Sequence, residues 1–310
     1  MLPRAARKRR QLQISLSEEQ RAAVREAGNA WVVACPGSGK TRVALAKVLR
    51  EAGRLKMKPS GSVLALSFSV TAKEELEARI AAHAGPTIRA NITVATIHGF
   101  CLGELVVPFG SYVAGRDLRL ALPGSSAYDG AVSLTAAAFG IAGPQVQAFL
   151  KFRRRIPDGR SVKAGEESAP EIHRVVAAFW EKLLGSGYVD YPNALYIALQ
   201  ILRSREWIRQ GIAARYPFLV VDEYQDCTDI QVAIIGELVK TGSRVFLVGD
   251  LYQCVYGFAG ADADSLKAFA TDIGARQLTL RGSHRCPQQV IDIAERVASP
   301  ARGSRGASRP

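Results

Sequence analysis

Short apolar runs closed by turn residues recur along the chain, and between them apolar positions return every three or four residues. The run 31–35 (WVVAC) is β-prone, meets a Gly-rich turn and gives way to a helical pattern from 40 to about 51. A second unit follows. Residues 63–68 read as a buried strand and 71–82 as a helix with Glu74, Glu75, Glu77 and Arg79 on its exposed side, while 92–97 supply a further strand. The same alternation returns late in the chain: 216–221 is a near-continuous apolar strand, 229–240 a helix and 244–249 another buried strand. Strands apolar on both sides and separated by helices predict an α/β fold, a parallel sheet covered on both faces.

Between about 107 and 191 the pattern changes. Helical periods at 131–139, 144–152 and 170–184 follow one another with no strand pattern between them, so an inserted, mostly helical subdomain is expected to interrupt the sheet domain. The chain then divides into a basic N-terminal arm (1–13), the first part of the α/β domain (14–106), the insertion (107–191), the second part of the α/β domain (192–298) and a small, basic, aperiodic tail (299–310) expected to be disordered.

Composition adds a direction. The 310 residues are 48% hydrophobic, enough for one large or two modest cores, and 41 Lys and Arg against 28 Asp and Glu leave a net charge of +13. Such an excess favours an anionic partner through phosphate attraction, with an ordinary basic surface as the alternative. The cluster Lys151, Arg153, Arg154, Arg155, Arg160 and Lys163 in the insertion reads either as a nucleic-acid face or as a solvated one. The basic start, Arg4, Arg7, Lys8, Arg9 and Arg10, has no apolar segment after it and reads as a solvated terminus, the alternatives being a nucleic-acid tail or a transit-like signal. No run reaches about 18 apolar residues, so no membrane partner and a cytoplasmic location are expected. Cys35, Cys101, Cys227, Cys254 and Cys286 lack paired metal spacing and are assigned neither redox nor metal chemistry.

Two motifs carry chemistry. Ala34-Cys35-Pro36-Gly37-Ser38-Gly39-Lys40-Thr41 lies between the first strand and its helix, a phosphate-binding loop with Ala in place of the first Gly. Its glycines let backbone amides approach phosphates, Lys40 is placed to reach the β- and γ-phosphates, and the Thr41 hydroxyl to ligate magnesium. In the second, Phe218-Leu-Val-Val-Asp222-Glu223-Tyr-Gln-Asp226, an apolar strand runs into adjacent carboxylates at the end where α/β sheets present their ligands. Asp222 is expected to hold magnesium and Glu223 to orient and deprotonate the attacking water. ATP and Mg2+ are therefore the expected cofactors. A small-molecule phosphate-loop kinase fits less well, because no separate acceptor-binding pattern is present.

The spelling of these motifs, D-E-x-Q-D above all, resembles the UvrD/Rep family of superfamily 1 DNA helicases, and the resemblance covers residues 14–298. Leu16-Ser-Glu-Glu-Gln20 is similar to that family's Q motif, which implies that Gln20 reads the adenine edge with Arg42 near the same base. The stretches 67–76 (SFSVTAKEEL) and 96–101 (TIHGFC) are similar to its single-strand-contacting motifs and imply DNA contacts for Phe68, Thr96 and His98. The stretch 248–261 resembles motif III, with Gln253 sensing the γ-phosphate and Tyr256 and Phe258 facing bases, where aromatic stacking is worth about 1–3 kcal/mol per base. By the same resemblance Arg285 touches the γ-phosphate and His284 stands where an adenine-stacking tyrosine is usual; Ala259 replaces a common arginine.

The family likeness implies a RecA-like domain, ATP-dependent movement on single-stranded or partly duplex DNA in the 3′-to-5′ direction, and a place in DNA repair or replication. It also implies a second RecA-like domain with motifs V and VI, for which no pattern follows Arg285. A truncated helicase, or one completed by a partner protein, is the corresponding expectation, since an arginine supplied across the cleft is worth about 10³–10⁵ in turnover. A non-hydrolysing, nucleotide-gated DNA-binding module is the alternative.

Overall fold

A computed structural model describes residues 14–55, 61–151, 170–250, 263–282 and 293. Six strands form one sheet: β1 (Ala30–Ala34), β2 (Val63–Ser67), β3 (Ile92–Thr96), β6 (Phe218–Val221), β7 (Arg244–Gly249) and β8 (Arg276–Leu280). Their order is β3-β2-β6-β7-β1-β8, and every adjacent pair is parallel. Two further strands, β4 (Arg119–Leu120) and β5 (Tyr188–Val189), pair with each other.

Side chains alternate across each strand, and in the four inner strands β2, β6, β7 and β1 both sides are buried. Ala30, Val32, Val63, Ala65, Phe218, Val220, Phe246 and Val248 face the helix Lys40–Leu55, meeting its Val43, Ala44 and Val48. Trp31, Leu64, Leu66, Leu219, Val221, Val245 and Leu247 face the other way, against Ile97, Phe100 and Leu105, the helix Tyr191–Ser204 and the helix Asp229–Lys240. This two-sided burial is why the strands read as continuous apolar runs rather than as alternating ones.

Strand β8 is an addition to the elements expected from the sequence. Its residues RQLTL are mostly exposed, it has β1 as its one strand partner among the described residues, and its polar positions hide the strand signal. Two short strands that the sequence pattern does not reveal flank the helices of the 107–191 stretch. β4 and β5 form a two-residue parallel ladder, flanked by Arg119 N–H to the Gly187 carbonyl (3.0 Å) and Ala121 N–H to the Val189 carbonyl (2.9 Å). Between them the helices Ser126–Phe139, Gly143–Leu150 and Pro170–Gly185 pack around Tyr128, Val132, Val146, Leu150, Val175, Phe179 and Leu183, a core separate from those of the main sheet. Elements this short give no periodic signal, which is why sequence pattern alone passes over them.

Candidate nucleotide and nucleic-acid site

Because all six main strands run in one direction, their carboxyl ends share an edge of the sheet. Val33 of β1 lies across from Gly249 of β7, Val221 of β6 across from Leu247 and Leu66, and Ser67 of β2 across from Thr96 of β3. The helix after β1 carries the chain past β7 and β6 to β2, so the sheet has a point of reversal beside β1, where α/β sheets form their binding crevice. The motifs that are remote in sequence end at this edge.

The phosphate-type loop leaves β1 and ends at the helix Lys40–Leu55. Gly37 and Gly39 have φ of +76° and +86°, a conformation that side chains with a Cβ resist. Gln20 is buried behind the loop. Its Nε2 donates to the Ser38 carbonyl at 2.8 Å, and its Oε1 accepts the Ser17 N–H at 2.9 Å. The second bond belongs to a capping box that starts the helix Glu18–Arg25, in which the Ser17 hydroxyl accepts the Gln20 N–H at 3.2 Å. A Cβ on Gly39 would come within 2.7 Å of Gln20 Nε2, so loop and brace require glycine there. The structure therefore places the Gln20 amide on the loop backbone. Exposed Arg42 reaches the Ser15 carbonyl at 3.5 Å. The Cys35 thiol approaches the Arg281 carbonyl at 3.4 Å, and burial pushes its pKa up, away from thiolate chemistry.

Lys40 points across the edge to the end of β6, where its Nζ lies 3.2 Å from Glu223 Oε2. Asp222 is held beneath, its N–H bonded to the Leu66 carbonyl at 3.0 Å and its Oδ1 accepting the Glu223 N–H at 3.1 Å. Burial first, and then the charge of Glu223, push the Asp222 carboxyl up to about 7; the Glu223 N–H, Lys40 and the Thr41 hydroxyl, which hydrogen-bonds to it, pull the other way. Asp226 is pushed up to about 6, chiefly by burial and next by Glu223. Glu223 has φ +53°, and among the described residues it is the one non-glycine with positive φ. Lys40, Thr41, Asp222 and Glu223, predicted from two motifs far apart in sequence, are thus brought together.

No group of three or more His, Cys, Asp or Glu suited to a metal occurs among the described residues. The Thr41 hydroxyl and the Asp222 carboxylate are oxygen donors of the kind magnesium takes, one or two from protein with water and phosphate oxygens completing its octahedron. The glycine cradle, Lys40 and the Thr41–Asp222 pair together fit a magnesium–nucleotide phosphate tail.

Gln225 and Asp250, to which the sequence motifs assign no role, also meet at this edge. Gln225 Nε2 donates to Glu223 Oε2 at 2.6 Å, and its Oε1 accepts the Asp250 N–H at 2.9 Å. The glutamine inside D-E-x-Q-D and the Gly249-Asp250 pair after β7 were the available signals.

Phe68, half-buried, follows β2 at the same edge. Thr96 is occupied in capping: its Oγ1 accepts the Gly99 N–H at 3.0 Å and starts the turn Ile97–Phe100. The His98 ring meets Tyr191 edge-on at 5.9 Å, and Tyr191, 43% exposed and not singled out beforehand, adds an aromatic surface beside it. Lys151 is exposed. Gln253, Tyr256, Phe258, Ala259, His284 and Arg285 lie outside the described residues, as do Cys254, Cys286, the arginines 153, 154, 155 and 160, Lys163 and the N-terminal basic arm.

A parallel sheet with a phosphate-type loop after β1 and a D-E pair ending β6 is the architecture of a RecA-like domain. Residues 16–112 and 146–274 match the UvrD/REP helicase N-terminal domain, and the chain belongs to that family. The internal stretch 113–145, outside the match, contains β4 and the helix Ser126–Phe139. Among relatives, the chain is 25% identical over 283 residues to the ATP-dependent DNA helicase PcrA of Leuconostoc citreum, covering 87% of this chain and 37% of that protein. It is 26% identical over 307 residues to DNA helicase II of Escherichia coli, covering 94% and 41%, and 24% identical over 320 residues to the ATP-dependent DNA helicase UvrD1 of Mycobacterium tuberculosis, covering 95% and 40%. The chain thus spans about two fifths of the length of these relatives.

Proposed function

We propose that this chain binds ATP with magnesium and single-stranded DNA and supplies the nucleotide-handling part of a UvrD/Rep-type helicase or translocase. The observation that carries the reading is the meeting of Lys40 and Glu223 at 3.2 Å, with Asp222 and Thr41 in contact beside them, at the carboxyl edge of a parallel sheet. Gly37, Gly39 and the amides of the loop would receive the phosphates, and Lys40 would face the β- and γ-phosphates. Magnesium, held by Thr41 and Asp222, would neutralise charge on the phosphate oxygens. Glu223 orients a water molecule and takes its proton, so its carboxylate must be released from Lys40 when phosphate claims the ammonium. The assignment of 107–191 as an inserted subdomain, and of Phe68 and His98 as base-facing residues, belongs to the same proposal. It is supported by a separate apolar core and by an aromatic pair near the sheet edge.

The test is ATP hydrolysis by the purified chain with magnesium, with and without single-stranded DNA, beside Glu223→Gln. Hydrolysis stimulated by DNA and abolished in Glu223→Gln, with nucleotide binding kept, is the expected result. Binding of both ligands with no turnover under any of these conditions would replace it with the non-hydrolysing, nucleotide-gated DNA-binding module.

A further inference from the structure

Gln225 is 3% exposed and joins two parts of the site that the nucleotide reading leaves unconnected. Besides its bonds to Glu223 (2.6 Å) and to the Asp250 N–H (2.9 Å), its Nε2 lies 3.5 Å from Asp226 Oδ2. A side-chain amide offers a donor and an acceptor on one planar group; glutamate of the same shape loses the donor, and methionine loses both. Asp250 is fully buried, so its N–H would lose the Gln225 bond where solvent cannot replace it.

The approach is close enough to dictate a second residue. A Cβ on Gly249 would fall 2.8 Å from Gln225 Oε1 and 3.0 Å from its backbone nitrogen, so glycine lets the end of β7 pass against Gln225. On the other side, Glu223 Oε2 is shared between Gln225 and Lys40, on a residue whose backbone is already in the left-handed region. A continuous path of contacts therefore runs from Lys40 through Glu223 and Gln225 to Asp250, three positions before Gln253 in sequence.

We propose that Gln225 is a positioning residue that couples occupancy of the phosphate loop to the chain leaving β7: when Lys40 turns to phosphate and Glu223 is freed, the amide moves with Glu223 and its grip on the Asp250 N–H changes. The inference rests on the nucleotide reading. Its physical warrant is that one amide holds both groups, so neither shifts without altering the other's hydrogen bond.

The experiment uses the full chain with magnesium and a non-hydrolysable ATP analogue, reading amide hydrogen exchange in the peptide spanning β7 and Asp250, with analogue affinity from a fluorescence titration. In the wild type, analogue is expected to change protection of that peptide. Gln225→Met is expected to exchange about tenfold faster at Asp250 without analogue, as for one lost hydrogen bond of about 1.4 kcal/mol, and to show no further change on binding. Gln225→Glu keeps the acceptor for Asp250 but repels Glu223, so resting protection should stay near wild type while the analogue-dependent change disappears. Both variants should hold the analogue within about tenfold of wild type. A merely structural role would alter resting protection and leave the analogue-dependent difference. A wild-type difference surviving in Gln225→Glu, or in a folded Gln225→Met, overturns the proposal; if the Met variant does not fold, the Glu variant decides. Wild type that binds no analogue would refute the nucleotide reading in its own arm, and the inference with it.

Discussion

Gln20 and Lys40 show how differently two conspicuous side chains serve one loop. Lys40 is half-buried at the sheet edge, opposite Glu223, whereas Gln20 is buried and ties the Ser38 carbonyl to the start of the helix Glu18–Arg25. Replacing Lys40 with Ala should abolish ATP binding while leaving the melting temperature near wild type, because its ammonium sits at a partly open edge; retained affinity in an equilibrium titration would remove Lys40 from the phosphate site. Gln20→Leu is a subtler change. It takes a hydrogen-bond donor from the loop and caps the preceding helix less well, so nucleotide affinity should fall by about tenfold, the worth of one such bond. An affinity unchanged by Gln20→Leu would show that the loop needs no brace. The pattern Leu16-Ser-Glu-Glu-Gln20 marked Gln20 as important, but it could not show that the amide faces the loop backbone, since that contact joins residues 18 positions apart through tertiary packing.

At the scale of elements, the helix Lys40–Leu55 is the part most exposed to single changes. Its Lys47 is fully buried, paired with Glu51 at 3.0 Å, donating to the Val24 and Glu26 carbonyls, and lying over the rings of Phe218 and Phe246 at 5.0 and 5.3 Å. Burial pulls the Lys47 pKa down, opposed by Glu51, so the pair resists loss of one partner. Lys47→Ala should cost about 3–5 kcal/mol in a urea titration, because buried Glu51 loses its nearest cation and keeps the more distant Arg54 (3.5 Å) and Arg244 (3.9 Å). The double change Lys47→Met with Glu51→Leu should recover most of that loss, as apolar groups of similar volume replace the pair. Equal losses in the single and the double variant would mean that the carbonyl contacts, not the ion pair, dominate. Lys47 escaped notice in the sequence because a lysine in a helix ordinarily reads as surface; only the packing of that helix against β6 and β7 buries it. The strands themselves were legible, since two-sided burial demands unbroken apolar runs, while β8, β4 and β5 were not, being polar at an edge or two residues long.

For the whole molecule, the charge of +13 turns the family relationship into a salt dependence. If the sheet edge and its surroundings engage the DNA backbone, affinity for single-stranded DNA should fall about tenfold or more between roughly 50 and 200 mM salt, through counterion release. A nearly flat affinity over that range would assign the excess charge to general solvation. Phe179→Ala, in the separate core of the helical segment, tests a different question. It should lower stability by about 3–5 kcal/mol if that core unfolds together with the sheet. A distinct early transition, with nucleotide binding intact after it, would show that the segment melts as its own unit.

What the sequence determined by itself is the chemistry that lies in contiguous runs. The strand–loop–helix grammar, the glycines and lysine of the phosphate-type loop, and the carboxylates after an apolar strand all follow from local period and local residue types, and the family could be named from their spelling. Tertiary structure alone decided which runs became neighbours: β7 between β6 and β1, β8 at the edge, Lys40 against Glu223, Gln20 under Ser38, and Gln225 bridging Glu223 to Asp250. The reason is physical. Periodicity reports how much of a segment is buried, but strand order and side-chain pairing arise from packing two faces of one sheet at once. That choice is made by the chain as a whole, and it alone brings the separate motifs to a common edge.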